Sequence, residues 1–237
     1  MNPLVLQLPL LFAVLLIGLV CSIPLAMYLF WLANLTRRDR PTLLNGPQDF
    51  AALVAGLSGY ILAGGGLLLT LLQTNFRYWM RGNMEALREV WIQEKMSWIL
   101  LVVAYLLAVV GTIVVTYLGR RYSLVIYNIE PAVFEGVLRE VFDHLGRPLE
   151  RQGRRWSSGT PLCELDEFDG GRTVTLRWIS PDLTLFHEVS RHLRAALAAQ
   201  PARENPASHW LVTGAVAMTV LAACCGGLFI CGMTQLR

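Results

Sequence analysis

Trp98–Leu118, WILLVVAYLLAVVGTIVVTYL, decides the fold: twenty-one consecutive residues without a charge, followed at once by Gly119-Arg120-Arg121. A helix needs roughly 20 apolar residues to cross the ~30 Å hydrocarbon core of a bilayer. Within that core every backbone N–H and C=O must be bonded inside the segment, which a helix does. Three further runs share the property: Leu8–Leu35, Phe50–Gln73 and Trp210–Met233 are uncharged throughout. Pro24 lies inside the first, where it predicts a kink or a tilted helix. That run has no basic n-region and is too long for an h-region, so it reads as a span and not as a signal peptide. Ser208 is placed to cap the last helix.

Composition agrees. The 237 residues are 54% hydrophobic and only 16% charged, where a soluble domain has about 25% charged residues. The charges concentrate between Arg120 and Glu204, which hold 12 basic and 12 acidic residues. A neutral aqueous module is thus sewn into an apolar chain, and the net charge of +3 gives no reason to expect a nucleic-acid partner.

The sequence therefore predicts an α-helical polytopic membrane protein: four transmembrane helices and a small inserted two-layer α+β aqueous domain. Residues 1–120 hold the spans at about 8–35, 50–73 and 98–118, residues 121–206 the domain, and 207–237 the fourth span at about 210–233. Loop 74–97 places Phe76, Trp79, Met80, Met84, Leu87, Val90 and Trp91 on one broad helical face, with Arg77, Arg81, Arg88 and Lys95 beside it. That is the pattern of an amphipathic helix lying in the membrane interface.

Within the domain, Tyr122–Ile129 reads as a strand and Pro131–Gly146 as a helix opened by proline at its first position. Strands are expected around Leu149–Ser157, Leu162–Phe168 and Arg172–Ile179, with Asp169-Gly170-Gly171 as a hairpin signal between the last two. Pro181–Ala199 closes the domain as a second helix on the same face of a mostly antiparallel sheet.

Topology follows from Arg37, Arg38 and Arg40 after the first span, with Arg120 and Arg121 on the same side. The positive-inside rule puts these residues and the domain in the cytoplasm and the N-terminus outside, although the basic loop 74–97 pulls the other way. The expected location is a cell membrane, the bacterial inner membrane.

Chemical motifs are sparse. His187-Glu188-Val189-Ser190-Arg191-His192 has its histidines five apart, about 140° round a helix, whereas a zinc-protease helix needs them four apart. Gly56-Leu57-Ser58-Gly59 is similar to the serine site of rhomboid-type intramembrane proteases, but no span supplies the histidine base that a serine nucleophile needs. Ala55, Gly59 and Ala63, every four residues, read instead as a small-xxx-small helix-packing face. Cys224, Cys225 and Cys231 have no His or carboxylate near them in sequence to complete a metal site and read as packing residues. Arg147, Arg151, Arg154 and Arg155 cluster where they could meet an anion or a partner. No catalytic, cofactor-binding or metal-binding residue is assigned, and no cofactor is expected.

No span contains Asp, Glu, Lys, Arg or His, which counts against a self-sufficient proton- or ion-coupled transporter. The expectation is a non-enzymatic scaffold, assembly or accessory subunit. Its partners would be the lipid bilayer, a membrane protein or a second copy of itself, and its cytoplasmic module would bind a partner protein. The alternative is a channel or permease component of a transport complex.

Overall fold

The computed structural model describes residues 3–72, 95–168, 170, 172–201 and 205–235. Arg77, Arg81, Arg88 and the amphipathic helix expected over 74–97 lie outside them, except that Lys95 is already the first residue of a membrane-length helix. Among the described residues twelve elements follow one another: α1 (Pro3–Thr36), β1 (Thr42–Asn45), α2 (Gly46–Leu72), α3 (Lys95–Gly119), β2 (Ser123–Tyr127), α4 (Pro131–His144), β3 (Glu150–Gln152), β4 (Arg155–Ser158), β5 (Thr160–Phe168), β6 (Thr173–Trp178), α5 (Leu183–Ala198) and α6 (Ala207–Gln235).

Four helices are long and apolar enough to cross a membrane, with candidate spans Leu11–Thr36, Gly46–Leu67, Ile99–Gly119 and Ala207–Thr234. The chain divides into two compact units. Met1–Tyr28, Val54–Val115 and Gly214–Arg237 form the first; Leu29–Leu53 and Thr116–Thr213 form the second.

In the first unit, helix contacts are made where side chains are small. Gly59 is buried, and a Cβ there would run into the backbone of Val20 and Cys21 on α1, so only glycine permits this approach. Of the other two small residues read as packing positions, Ala63 is half-buried and Ala55 is exposed; Gly56, against the Tyr28 ring, is the second buried residue on that face. Farther along α2, Tyr105 of α3 packs on Gly65 and its hydroxyl donates to the Ile61 carbonyl at 2.5 Å. Phe12 of α1 meets Phe229 of α6 edge-on, with ring centroids 5.3 Å apart.

The second unit is built on a six-stranded sheet in the order β1-β2-β6-β5-β4-β3, every ladder antiparallel. Alternation sends Leu124, Ile126, Val174, Leu176 and Leu165 into one core with Phe134, Leu138 and Phe142 of α4 and Leu185, Val189 and Leu193 of α5. Asp182 opens α5 by accepting a hydrogen bond from the Leu185 amide, one of the donors a helix start leaves unpaired.

Three elements differ from the sequence expectation. The single strand expected around Leu149–Ser157 is a hairpin, β3–β4, because Gly153 (φ +66°) and Arg154 form a two-residue turn with glycine at its first central position. The cap of α6 is Asn205, whose side-chain oxygen accepts from the Ala207 amide; Ser208 sits inside the first turn. Most consequentially, loop 36–49 is part of the sheet: β1 pairs with β2 from Thr42↔Tyr127 to Asn45↔Leu124. A four-residue strand in a loop with prolines and arginines has too little periodicity to be read from sequence.

Strand β2 is consequently buried on both faces. Leu124 and Ile126 face α4 and α5, while Val125 and Tyr127 pack with Leu35, Leu32 and Trp31 at the end of α1.

Candidate functional site

The arginines first considered for an anion site are held apart by the strand register. Arg155 lies opposite Glu164 across β4–β5, and its Nε donates to that carboxylate at 2.8 Å. Arg154 pairs with Asp166 at 3.2 Å, and Arg151 with both Glu135 and Glu167. Of these, Arg155–Glu164 is a directly facing cross-strand pair, while Arg154 reaches β5 from the β3–β4 turn and Arg151 reaches α4 and β5. Pairs this exposed are worth little in stability, but they do neutralise the cluster. Arg151, Arg154 and Arg155 are thus internally paired, while Arg147 has no carboxylate within ion-pair distance among the described residues.

A second set gathers where the ends of the apolar helices enter the second unit. Asn128, at φ +64° and almost fully buried, donates through Nδ2 to the Leu35 carbonyl (2.8 Å) and the Arg38 carbonyl (3.3 Å). These belong to the last turn of α1 and its exit, where helical partners run out. Its Oδ1 accepts from Asn205 Nδ2 at 3.0 Å, and Asn205 in turn caps α6. One buried amide pair therefore ties the C-terminus of α1 to the N-terminus of α6. Nearby, the Tyr127 hydroxyl donates to Asp49 in the first turn of α2 at 2.5 Å. Arg120, past the end of α3, reaches the same carboxylate at 3.9 Å and stacks over Phe50.

Beside this junction runs a groove. One cavity of about 730 Å³ lies between Asn45, Pro47 and Gln48 at the start of α2, Tyr117 and Arg121 at the end of α3, and His187, Arg191 and Arg194 on α5. A second of about 530 Å³ shares Arg194 with the first and is lined by Arg38, Asp39, Arg40 and residues of β1. His187, Arg191, Arg194 and Ala198 fall at helical spacing, so α5 presents one stripe to both cavities while its other face carries Leu185, Val189 and Leu193 into the core. Among the described residues, no carboxylate lies within ion-pair distance of Arg38, Arg40, Arg121 or Arg194; Arg191 has Glu188 at 4.0 Å. Arg121 stacks on the Tyr122 ring at 4.6 Å.

The groove is thus lined by five guanidinium groups and a single carboxylate, Asp39. Guanidinium groups offer forked donors that match phosphate and carboxylate oxygens, so the arrangement suits an anion. Sequence reasoning singles out Arg38, Arg40, Arg121 and Arg191 without assembling them, and passes over Arg194. Arg38, Arg40 and Arg121 serve there as topology markers, and Arg191 belongs to the motif of residues 187–192 that fails as a zinc site. The available signal was the His187–Arg191–Arg194 stripe; what hid the site was β1, which carries Arg38 and Arg40 to the same sheet edge as α5.

Ser58 Oγ donates to the Ala55 carbonyl at 2.7 Å, a backbone bond and no nucleophile–base pair. His192 is half-buried and does not line the groove that His187 enters. Among the described residues no group of three His, Cys, Asp or Glu could hold a metal ion. Cys163 is fully buried, and burial pushes its thiol up to about 12, far from the thiolate needed for reactivity.

Comparison with protein-family models, with curated proteins and with solved structures found no match.

Proposed function

We propose that this chain is a multi-pass protein of a cell membrane, the bacterial inner membrane, and that it acts there as a non-enzymatic scaffold or accessory subunit. Its N-terminus is outside, its sheet-bearing module is cytoplasmic, and it binds a membrane-protein partner or a second copy of itself through its helices and a partner protein through the module. The orientation rests on Arg37, Arg38, Arg40, Arg120 and Arg121, which all belong to the second unit. The β1–β2 ladder supports that parity, since loop and module share one sheet and must lie on one side.

The observation that carries the reading is the bareness of α3. Not one residue of Ile99–Gly119 is buried, and Gly111 within it has nothing within 4 Å of where a side chain would start. A mid-helix glycine costs about 0.5–1 kcal/mol relative to alanine. On an apolar helix that cost is offset when another helix packs closely against it.

The test is purification in mild detergent followed by mass measurement and identification of co-purifying chains. An assembly heavier than one chain, reduced by Gly111→Leu but not by Leu107→Ile, supports the reading. A monodisperse single chain that conducts ions after reconstitution would replace it with the channel alternative.

A further inference from the structure

We propose that the groove between α5, β1 and the exits of α1 and α3 holds the phosphate of an anionic phospholipid headgroup. The inference rests on the reading that the four apolar helices cross a membrane.

Charge selects the ligand. Arg121, Arg191 and Arg194 line one cavity and Arg38, Arg40 and Arg194 the other, with Asp39 the one carboxylate in the two linings, while Arg151, Arg154 and Arg155 are internally paired. Arg121, Arg191 and Arg194 come from a stretch whose charges sum to zero, and Arg38 and Arg40 join them from the loop after α1, so the excess of cations is local. A phosphate, with several oxygens on one centre, can accept from more than one forked guanidinium at once.

Position selects the source. Every wall except α5 and β1 is the first or last turn of an apolar helix, or the residues just beyond it. Arg38 lies two residues past Thr36, Arg121 two past Gly119, and Asn45 to Gln48 open α2. If those helices span a bilayer, the groove lies at headgroup level. Tyr117 in the last turn of α3 has the aromatic, amphipathic character enriched at that level. The groove is also open, and its arginines are exposed. Such a site strips little water from a free anion and holds it weakly. A lipid headgroup arrives at the high effective concentration of the membrane plane, so weak multidentate contacts suffice. The Asn128 amide, by fixing the Leu35 and Arg38 carbonyls, sets where the chain leaves α1 and so holds one wall of the groove in register.

The experiment uses the full chain purified in neutral detergent, after alkaline carbonate extraction of the source membranes. Native mass spectrometry then counts bound phosphatidylglycerol against phosphatidylcholine. Phosphatidylglycerol should be retained preferentially and lost as salt rises. Arg40→Gln/Arg194→Gln should weaken retention roughly 25-fold, at about fivefold per juxtamembrane cation. Arg40→Lys/Arg194→Lys should lose less, and the ion-paired control Arg154→Gln nothing. Equal retention of the two lipids, or equal damage from Arg154→Gln, overturns the proposal while leaving an integral membrane protein standing. Displacement of the lipid by millimolar inorganic phosphate would make the ligand a soluble anion and overturn the lipid assignment. Release of the chain by carbonate would remove the membrane reading and the proposal with it.

Discussion

Strand β2 and helix α3 are separated only by Arg120-Arg121-Tyr122, and both are dominated by Leu, Val, Ile and Tyr. All five residues of β2 are buried, by α4 and α5 on one face and by the end of α1 on the other. Along Ile99–Gly119 of α3 nothing is buried. The same composition thus serves two solvents. For β2 the apolar environment is the protein itself; among the described residues, none buries any part of Ile99–Gly119 of α3. The contrast gives substitutions opposite expectations in two adjoining stretches.

The largest effect is expected where the protein supplies the environment. Phe134 is fully buried in the core that also takes Leu124 and Ile126 of β2. Phe134→Ala should cost about 3–5 kcal/mol, the lost transfer energy plus a cavity. Leu106→Ala, on exposed α3 and well round the helix from Gly111, leaves no internal cavity and should stay within roughly 0.5 kcal/mol. Thermal melts in detergent compare the two. Similar costs would mean that α3 is covered as fully as β2 in the purified particle.

Next in size is the amide pair that anchors both kinds of region. Asn128→Ala removes the donor to the Leu35 and Arg38 carbonyls and the acceptor for Asn205, and puts alanine at φ +64°. Buried groups left unpaired make this worth about 2–3 kcal/mol. Asn128→Gly relieves the backbone but not the lost bonds, so it should recover only about 1 kcal/mol of that. Full recovery by glycine would show that the left-handed conformation, and not the tie between α1 and α6, is what Asn128 provides.

How legible these features were follows the same division. The spans were legible because length without charge is a one-dimensional signal, readable at Trp98–Leu118 alone. The module's helices were legible because Phe134, Val137, Leu138, Val141 and Phe142, and likewise Leu185, Phe186, Val189, Leu193 and Leu197, repeat at helical spacing. Strand β1 was not, because four residues carry no period and their partner lies beyond two spans in the chain. The basic groove disappeared with it: Arg38 and Arg194 are brought together by a ladder between Thr42 and Tyr127, a pairing that local sequence does not encode. Gly153 was in plain view, yet a single glycine in a polar run also fits one bulged strand.

A smaller contrast lies within α2. Gly59 faces the backbone of α1 so closely that a methyl group forces a shift, whereas Gly64 has nothing within 4 Å. Gly59→Ala should destabilise by about 1–3 kcal/mol through overpacking. Gly64→Ala should stabilise by up to about 1 kcal/mol through helix propensity. The paired melts read the sign directly. Destabilisation by Gly64→Ala would place a partner helix at Gly64 in the purified protein.

The smallest effect is a reaction expected not to occur. Cys163 is in β5, fully buried, and its thiol is raised to about 12 by the loss of hydration around the charged form. In the folded protein it should therefore resist thiol reagents at pH 8 from either side of a membrane, and it cannot report topology. Arg154→Cys, at an exposed side chain on the same module, should react rapidly once the reagent reaches it. In intact cells an impermeant maleimide should leave Arg154→Cys unmodified and label it after lysis; labelling before lysis would place the module outside. The raised thiol also fixes the sign of a pH effect. The unfolded chain ionises Cys163 near 9.0 and the folded chain only near 12, so stability is unaffected below pH 9 and falls between pH 9 and 12. Cys163→Ala lacks the group, and the difference between its melting temperature and that of the parent should widen in its favour across that window. A constant difference from pH 8 to pH 11 would mean that the thiol is reached by water in the folded module.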